Sequence, residues 1–258
     1  MFMLCTFLST ALSVHARMEG YIVGGSKTAI NRYPHSAFLS VRCFKEQQEA
    51  IRWVCGSSIL NQKILLTAGH CLYSCIAGTT VWVNMGDEHR EDGIIRNANG
   101  FLIHEKYNDD LSAYDIGLVK MRRPVTFTSK ISRVAILKKP PYNEQANLAG
   151  WGQINEKTRT PGMLLKDVDQ MVLKHADCQN LFGKLPKGTI CASSDKNSGY
   201  AAAGDSGSGL VVRGYIQIGL VSFKKPSTSE NIIIYTDVGY YYDWITYNAH
   251  RLYCFTKL

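Results

Sequence analysis

Beyond Ala16 the chain holds no apolar run approaching the roughly 18 residues that a membrane-spanning helix needs, which argues against such a helix. It also lacks low-complexity tracts and internal repeats, and its composition is ordinary for a packed protein, not a disordered one. A formal charge of +8 is spread through the 258 residues and forms no basic stripe. Arg122-Arg123, Lys138-Lys139 and Lys224-Lys225 are only short pairs, so nucleic acid is not an expected partner. They fit a solvated basic face or, more sharply, a preference for acidic partners. No sugar-binding pattern stands out, and the body shows no sustained helical period.

What the body has instead is alternation. Ala37, Leu39, Val41 and Cys43 alternate with Phe38, Ser40, Arg42 and Phe44. Val81, Val83 and Met85 alternate with Trp82 and Asn84, while Ile216, Ile218 and Leu220 alternate with Tyr215 and Gln217. Turns are expected between such runs, at Asn97-Ala98-Asn99-Gly100 and at Lys139-Pro140-Pro141-Tyr142. Many short strands with this punctuation predict an all-β protein of closed or stacked sheets. Only the tail breaks the pattern: Trp244, Ile245 and Leu252 with polar residues between predict one C-terminal helix over about 241–254. At the other end, residues 1–16 are apolar through Phe2, Leu4, Phe7, Leu8, Ala11, Leu12 and Val14, and Val14-His15-Ala16 suits signal-peptidase cleavage. No Lys or Arg precedes that run, but the expectation is a signal peptide and a secreted protein. Eight cysteines then become seven, an odd number, because Cys5 leaves with the signal.

The chemistry centres on Gly204-Asp205-Ser206-Gly207-Ser208-Gly209. A serine flanked by glycines can sit in a tight turn whose N–H groups, here those of Gly204 and Ser206, point to one spot and stabilise an oxyanion. Such a serine needs a base and an acid to orient that base. Thr67-Ala68-Gly69-His70-Cys71 offers the histidine and Asp115-Ile116-Gly117-Leu118 the acid. With Ile22-Val23-Gly24-Gly25 and Gly150-Trp151-Gly152, these ordered motifs resemble the trypsin/chymotrypsin superfamily from about Ile22 onward.

That resemblance implies two antiparallel six-stranded β-barrels, at about 22–128 and 129–242, with the site in the cleft between them. It implies His70 as base, Asp115 as its orienting partner, Ser206 as nucleophile, and no metal or cofactor. Residues 17–21 would be a propeptide, cut so that the freed ammonium of Ile22 pairs with Asp205, although Tyr21 stands where a basic residue is usual. It also implies disulfides Cys55–Cys71 and Cys178–Cys191. Cys43–Cys75 is then a pair by elimination, leaving Cys254 free or joining a dimer. The specificity pocket departs from the family. Tyr200 stands at its floor, Lys224 and Ile233 replace wall glycines, and Ala202 and Ser227 lie where a cysteine clasp would be. The expectation is an occluded pocket. In these respects the chain resembles the inactivated serine protease paralogues of the scabies mite, relatives of the dust-mite group 3 allergens. That implies a gut-secreted protein that binds host complement components without proteolysis. Here, however, all three triad residues are kept, so an active serine endopeptidase of unusual preference is the competing expectation.

Overall fold

The computed structural model describes residues 22–45, 49–195 and 198–254. The signal-peptide and propeptide readings of residues 1–21 lie outside that range. Six strands form the first barrel: β1 (Ser36–Cys43), β2 (Ile51–Ile59), β3 (Ile64–Thr67), β4 (Thr80–Met85), β5 (Ile94–Ile103) and β6 (Gly117–Met121). They close in the order β1-β2-β3-β6-β5-β4. The alternation read from the sequence sets the faces. Leu39 stands opposite both Cys55 and Val83, and all three point into one core with Ala37, Val41 and Met85. A slip of one residue would carry that whole set to the outer face, so the register is firmly specified.

The second barrel comprises β7 (Gln145–Gly150), β8 (Lys166–Val172), β9 (Thr189–Ser193), β10 (Gly209–Val212), β11 (Ile216–Lys224) and β12 (Ile232–Asp237). Its ladder runs β8-β9-β12-β11-β10-β7 and closes through antiparallel pairing of β7 with β8. Numbered within each barrel, both share one order, 1-2-3-6-5-4, although no repeat is visible in the residues. The fold is two closed six-stranded antiparallel barrels, as the resemblance implied. Residues 22–27, however, lie on the second barrel: Val23 bridges Tyr200, and Ser26 and Lys27 pair with β8.

Three local expectations are corrected. Asn97-Ala98-Asn99-Gly100 is no turn but the middle of β5, where the register shifts between Ala98 and Gly100. A glycine within a strand can mark such a bulge as readily as a chain reversal. Gln217, expected on an outer polar face, is fully buried and donates to the Gly219 carbonyl at 3.1 Å. An eight-residue helix, α1 (His175–Phe182), also lies in a stretch read as strand and turn. Its stop signal, Gly183 at φ 71°, is present in the sequence, but its first turn has no side-chain cap to announce a start.

The C-terminal helix α2 spans Tyr242–Cys254. Its Ile245 and Leu252 pack with Ile64, Leu66 and Ile116 from the first barrel and Leu220 from the second. This shared cluster joins the barrels and fixes the backbone beside Asp115. No helix among the described residues is long and apolar enough to cross a membrane.

Cys43–Cys75, Cys55–Cys71 and Cys178–Cys191 are bonded, and Cys254 is free and exposed. Alkylation of native protein without reductant should therefore label Cys254 alone among the described cysteines. Mass analysis that found Cys254 in an intrachain disulfide would overturn this pairing.

Candidate active site

His70 follows β3 and Asp115 precedes β6, and these two strands are neighbours in the first barrel. Their adjacency brings the imidazole to the carboxylate. His70 Nδ1 lies 2.9 Å from Asp115 Oδ2, and the His70 backbone N–H donates to Oδ1 at 2.8 Å. The carboxylate also receives Ser222 Oγ at 2.5 Å, while the Asp115 carbonyl accepts from Thr236 Oγ1 at 2.6 Å. Burial pushes the Asp115 carboxyl up, but the hydrogen bond and charge of His70, with Ser222, outweigh it and hold it below its usual range. Burial likewise works against the His70 imidazolium, yet the Asp115 hydrogen bond and charge raise its pKa overall. An imidazole held in this way keeps Nε2 available as a base, because Nδ1 is committed to the acid. Ser222 and Thr236 are positioning residues that the motif reading did not assign. Ser222 carries no motif of its own beside the pocket-wall position Lys224, and nothing in a lone Thr236 signals its bond to a carbonyl far away in sequence.

Ser206 lies between β9 and β10 of the second barrel and lines a cavity there. No hydrogen bond joins its hydroxyl to His70 among the described residues. Its turn is built for amide donors. The Ala203 carbonyl accepts from the Gln153 N–H at 2.8 Å, so the planar Ala203–Gly204 peptide turns the Gly204 N–H the opposite way. Neither that N–H nor the Ser206 N–H has an internal acceptor among the described residues. Gly204 has φ +98°, and a Cβ there would lie 3.2 Å from Gly152 Cα, so the turn requires glycine.

Asp205 is completely buried. Its Oδ1 accepts from the Gly152 N–H at 2.8 Å and its Oδ2 from the Ala202 N–H at 3.0 Å. The Gly150-Trp151-Gly152 motif gains its physical reason here: a Cβ on Gly150 or Gly152 would fall 2.1 or 2.3 Å from a carboxylate oxygen. Ile22, the other member of the expected activation pair, is 1% exposed in the second barrel's core. In the chain as given it carries a peptide nitrogen, not an ammonium.

A cavity of about 220 Å³ opens beside Ser206, between Ala201-Ala202-Ala203 on one side and Ser222-Phe223-Lys224 on the other. Ile233 and Glu156 also line it, whereas Tyr200 does not. Tyr200 is half-buried beneath Lys224, whose Nζ lies 4.5 Å from the ring centroid. That ammonium donates to Glu156 Oε1 at 2.6 Å and to the Ala201 carbonyl at 3.3 Å, so the Lys224 side chain joins the two walls. Glu156, 68 positions from Lys224, had no signal in the sequence. Cys55, Cys71 and His70 bring potential metal-ligand atoms within 4.8 Å, but the two sulfurs are bonded to each other and offer no thiolate.

Burial pushes the Asp205 carboxyl up to about 6, against the two N–H donors. In the uncut chain the unfolded state therefore releases this proton first as pH rises. The Asp205 contribution should lower stability progressively from about pH 4 to about pH 6 and stay constant above, by about 3 kcal/mol at most. Chemical denaturation across that window checks this: Asp205→Asn should remove that part of the slope, and an unchanged slope would refute the assignment.

The Trypsin family pattern matches residues 22–245. Hypodermin-B of Hypoderma lineatum is 31% identical over 240 residues, which cover 90% of this chain and 89% of that protein. The structure of HL collagenase is similar at a TM-score of 0.77 and 25% identity, covering 88% of this chain and 98% of that one. The scabies mite inactivated protease paralogue S-D1 shares the fold at a TM-score of 0.76 and 20% identity, over 88% of this chain and 97% of that one. With a buried aspartate paired to a partly exposed histidine, a glycine-framed serine and two closed barrels around them, this chain belongs to the trypsin family.

Proposed function

We propose that this chain is a secreted trypsin-fold homologue that hydrolyses peptides poorly or not at all and acts by binding host proteins, with complement components as the expected partners. The observation that carries the reading is the Lys224 side chain, which ties to Ala201 across the slot that would seat a substrate side chain. Its ammonium is also paired with Glu156, so seating a side chain there means breaking an ion pair that is only 17% exposed on the lysine side. Without that seating the scissile carbonyl is not held against Gly204 and Ser206, and positioning is worth several decades of rate. Disulfide bonding fits an oxidising, extracellular compartment, for which the gut lumen is the proposed site. The name of the mite paralogue S-D1 marks it as inactivated, so loss of proteolysis is compatible with this fold.

A second reading, an active endopeptidase with an unusual side-chain preference, draws on the assembled His70–Asp115 pair and the residual cavity. One experiment separates them. A small fluorophosphonate needs no side-chain pocket and should label Ser206 slowly, while a broad peptide library should show no cleavage by the processed protein. Lys224→Gly should then raise peptide turnover by about tenfold or more by removing the bridge. Efficient cleavage by the unaltered protein would establish the second reading instead.

Binding is tested separately. Ser206→Ala should bind serum complement components, and inhibit their action, as well as the unaltered protein does. A folded Ser206→Ala protein that had lost inhibition would return catalysis to the mechanism.

A further inference from the structure

The site described above leaves the Arg122-Arg123 pair without a role. In the structure it joins Arg96 of β5, and with Ile95 and Asn97 these arginines line a cleft of about 330 Å³. The cleft is held by the backbone, since the Arg122 N–H donates to the Asn97 carbonyl at 2.8 Å. No carboxylate lines it, and none of the three guanidinium groups makes an ion pair among the described residues. The buried Nε of Arg96 also has no hydrogen-bond partner. Arg96 Nη1 donates to the Ile95 carbonyl at 3.0 Å, and three cations beside one another without an anion repel, so the cleft favours an oxyanion.

Ile95 is 55% exposed and lines a second cleft too, of about 350 Å³, together with Phe38, Val54, Trp82, Asn84 and Arg90. This cleft is apolar and aromatic; Arg90 sits over the Phe38 ring at 5.3 Å. Glu91 lines it as well, so the charge along the pair of clefts is uneven, cationic at the Arg122 end and mixed at the Phe38 end. The Asn84 Oδ1 there is buried without a partner, although its Nδ2 donates to the Arg90 carbonyl.

We infer that these two clefts form one docking groove for an acidic peptide segment of a protein partner, with its carboxylates on Arg96, Arg122 and Arg123 and an apolar side chain over Ile95. Charge complementarity selects the acid. The apolar half selects a peptide over a sulfated polysaccharide, because a sugar chain could match the arginines but would leave Ile95 and Phe38 uncovered. This inference gives a surface to the binding reading above and rests on it only for the existence of a partner. The charge and shape of the groove stand whether or not Ser206 turns over.

The test uses a fluorescein-labelled, glutamate-rich peptide containing a single phenylalanine, followed by anisotropy with the full mature protein. Binding should weaken as salt rises. Arg122→Gln with Arg123→Gln should weaken it about tenfold or more, and Ile95→Ser should weaken it as well. Ser206→Ala should leave it unchanged, and a peptide with glutamine for every glutamate should not bind. Both arginines are exposed, so a thermal melt should show the double variant folded. The inference fails if the double variant binds the peptide as tightly as the unaltered protein. It also fails if a heparin-type oligosaccharide binds through the same arginines with no effect of Ile95→Ser. Efficient peptide hydrolysis by the protein would remove the binding-only reading and leave this one standing.

Discussion

A buried carboxylate must be satisfied wherever it sits, and Asp115 sits between the two barrels. The donors to that carboxylate come from both sides, His70 from the first barrel and Ser222 from β11 of the second, while Thr236 of β12 donates to the Asp115 backbone carbonyl. Breaking such a buried arrangement by removing one partner typically costs about 3–5 kcal/mol, because the charge is left uncompensated. The apolar cluster that α2 shares with both barrels brings them together, but apolar contact is tolerant of small displacements. The directional bonds to Asp115 are not. They select one docking geometry, and that geometry also aims the imidazole.

Around the neighbouring pocket a different kind of bond has taken over. Where the family resemblance implies a disulfide clasp, this chain has Ala202 and Ser227. Lys224, bonded to Ala201 and Glu156, spans the same walls non-covalently. A clasp of this kind is reversible and sensitive to whatever competes for the ammonium. Tyr200 contributes differently from a plug at the pocket floor. Its ring lies under the lysine and gives the cation a π face.

How much of this was legible depended on whether a residue's role is set by its neighbours in sequence or in space. The alternation from Ala37 to Cys43 is a local property, and it identified the inner face of β1 directly. The motifs around His70, Asp115 and Ser206 were legible for a similar reason, since each carries its own turn and strand context. Gln217 was not, because both faces of β11 are covered, one by its own barrel and one by the inter-barrel cluster. The asparagines and glycine at 97–100 have the composition of a turn, and only pairing with β6 turns them into a bulge. Glu156 is the extreme case: its importance comes entirely from a lysine on another strand.

The division of the triad between barrels has a consequence for how the molecule comes into being. Strands β1 to β6 are contiguous in the chain, as are β7 to β12, and a chain made from its N-terminus presents the first set before the second. His70 and Asp115 emerge with the first set, and Ser206 with the second. Neither half holds a nucleophile together with a base, and half of the donors to Asp115 are missing until the barrels meet. The grouping of His70, Asp115 and Ser206 therefore does not exist in any partly assembled chain, and its presence reports that both barrels have closed and docked.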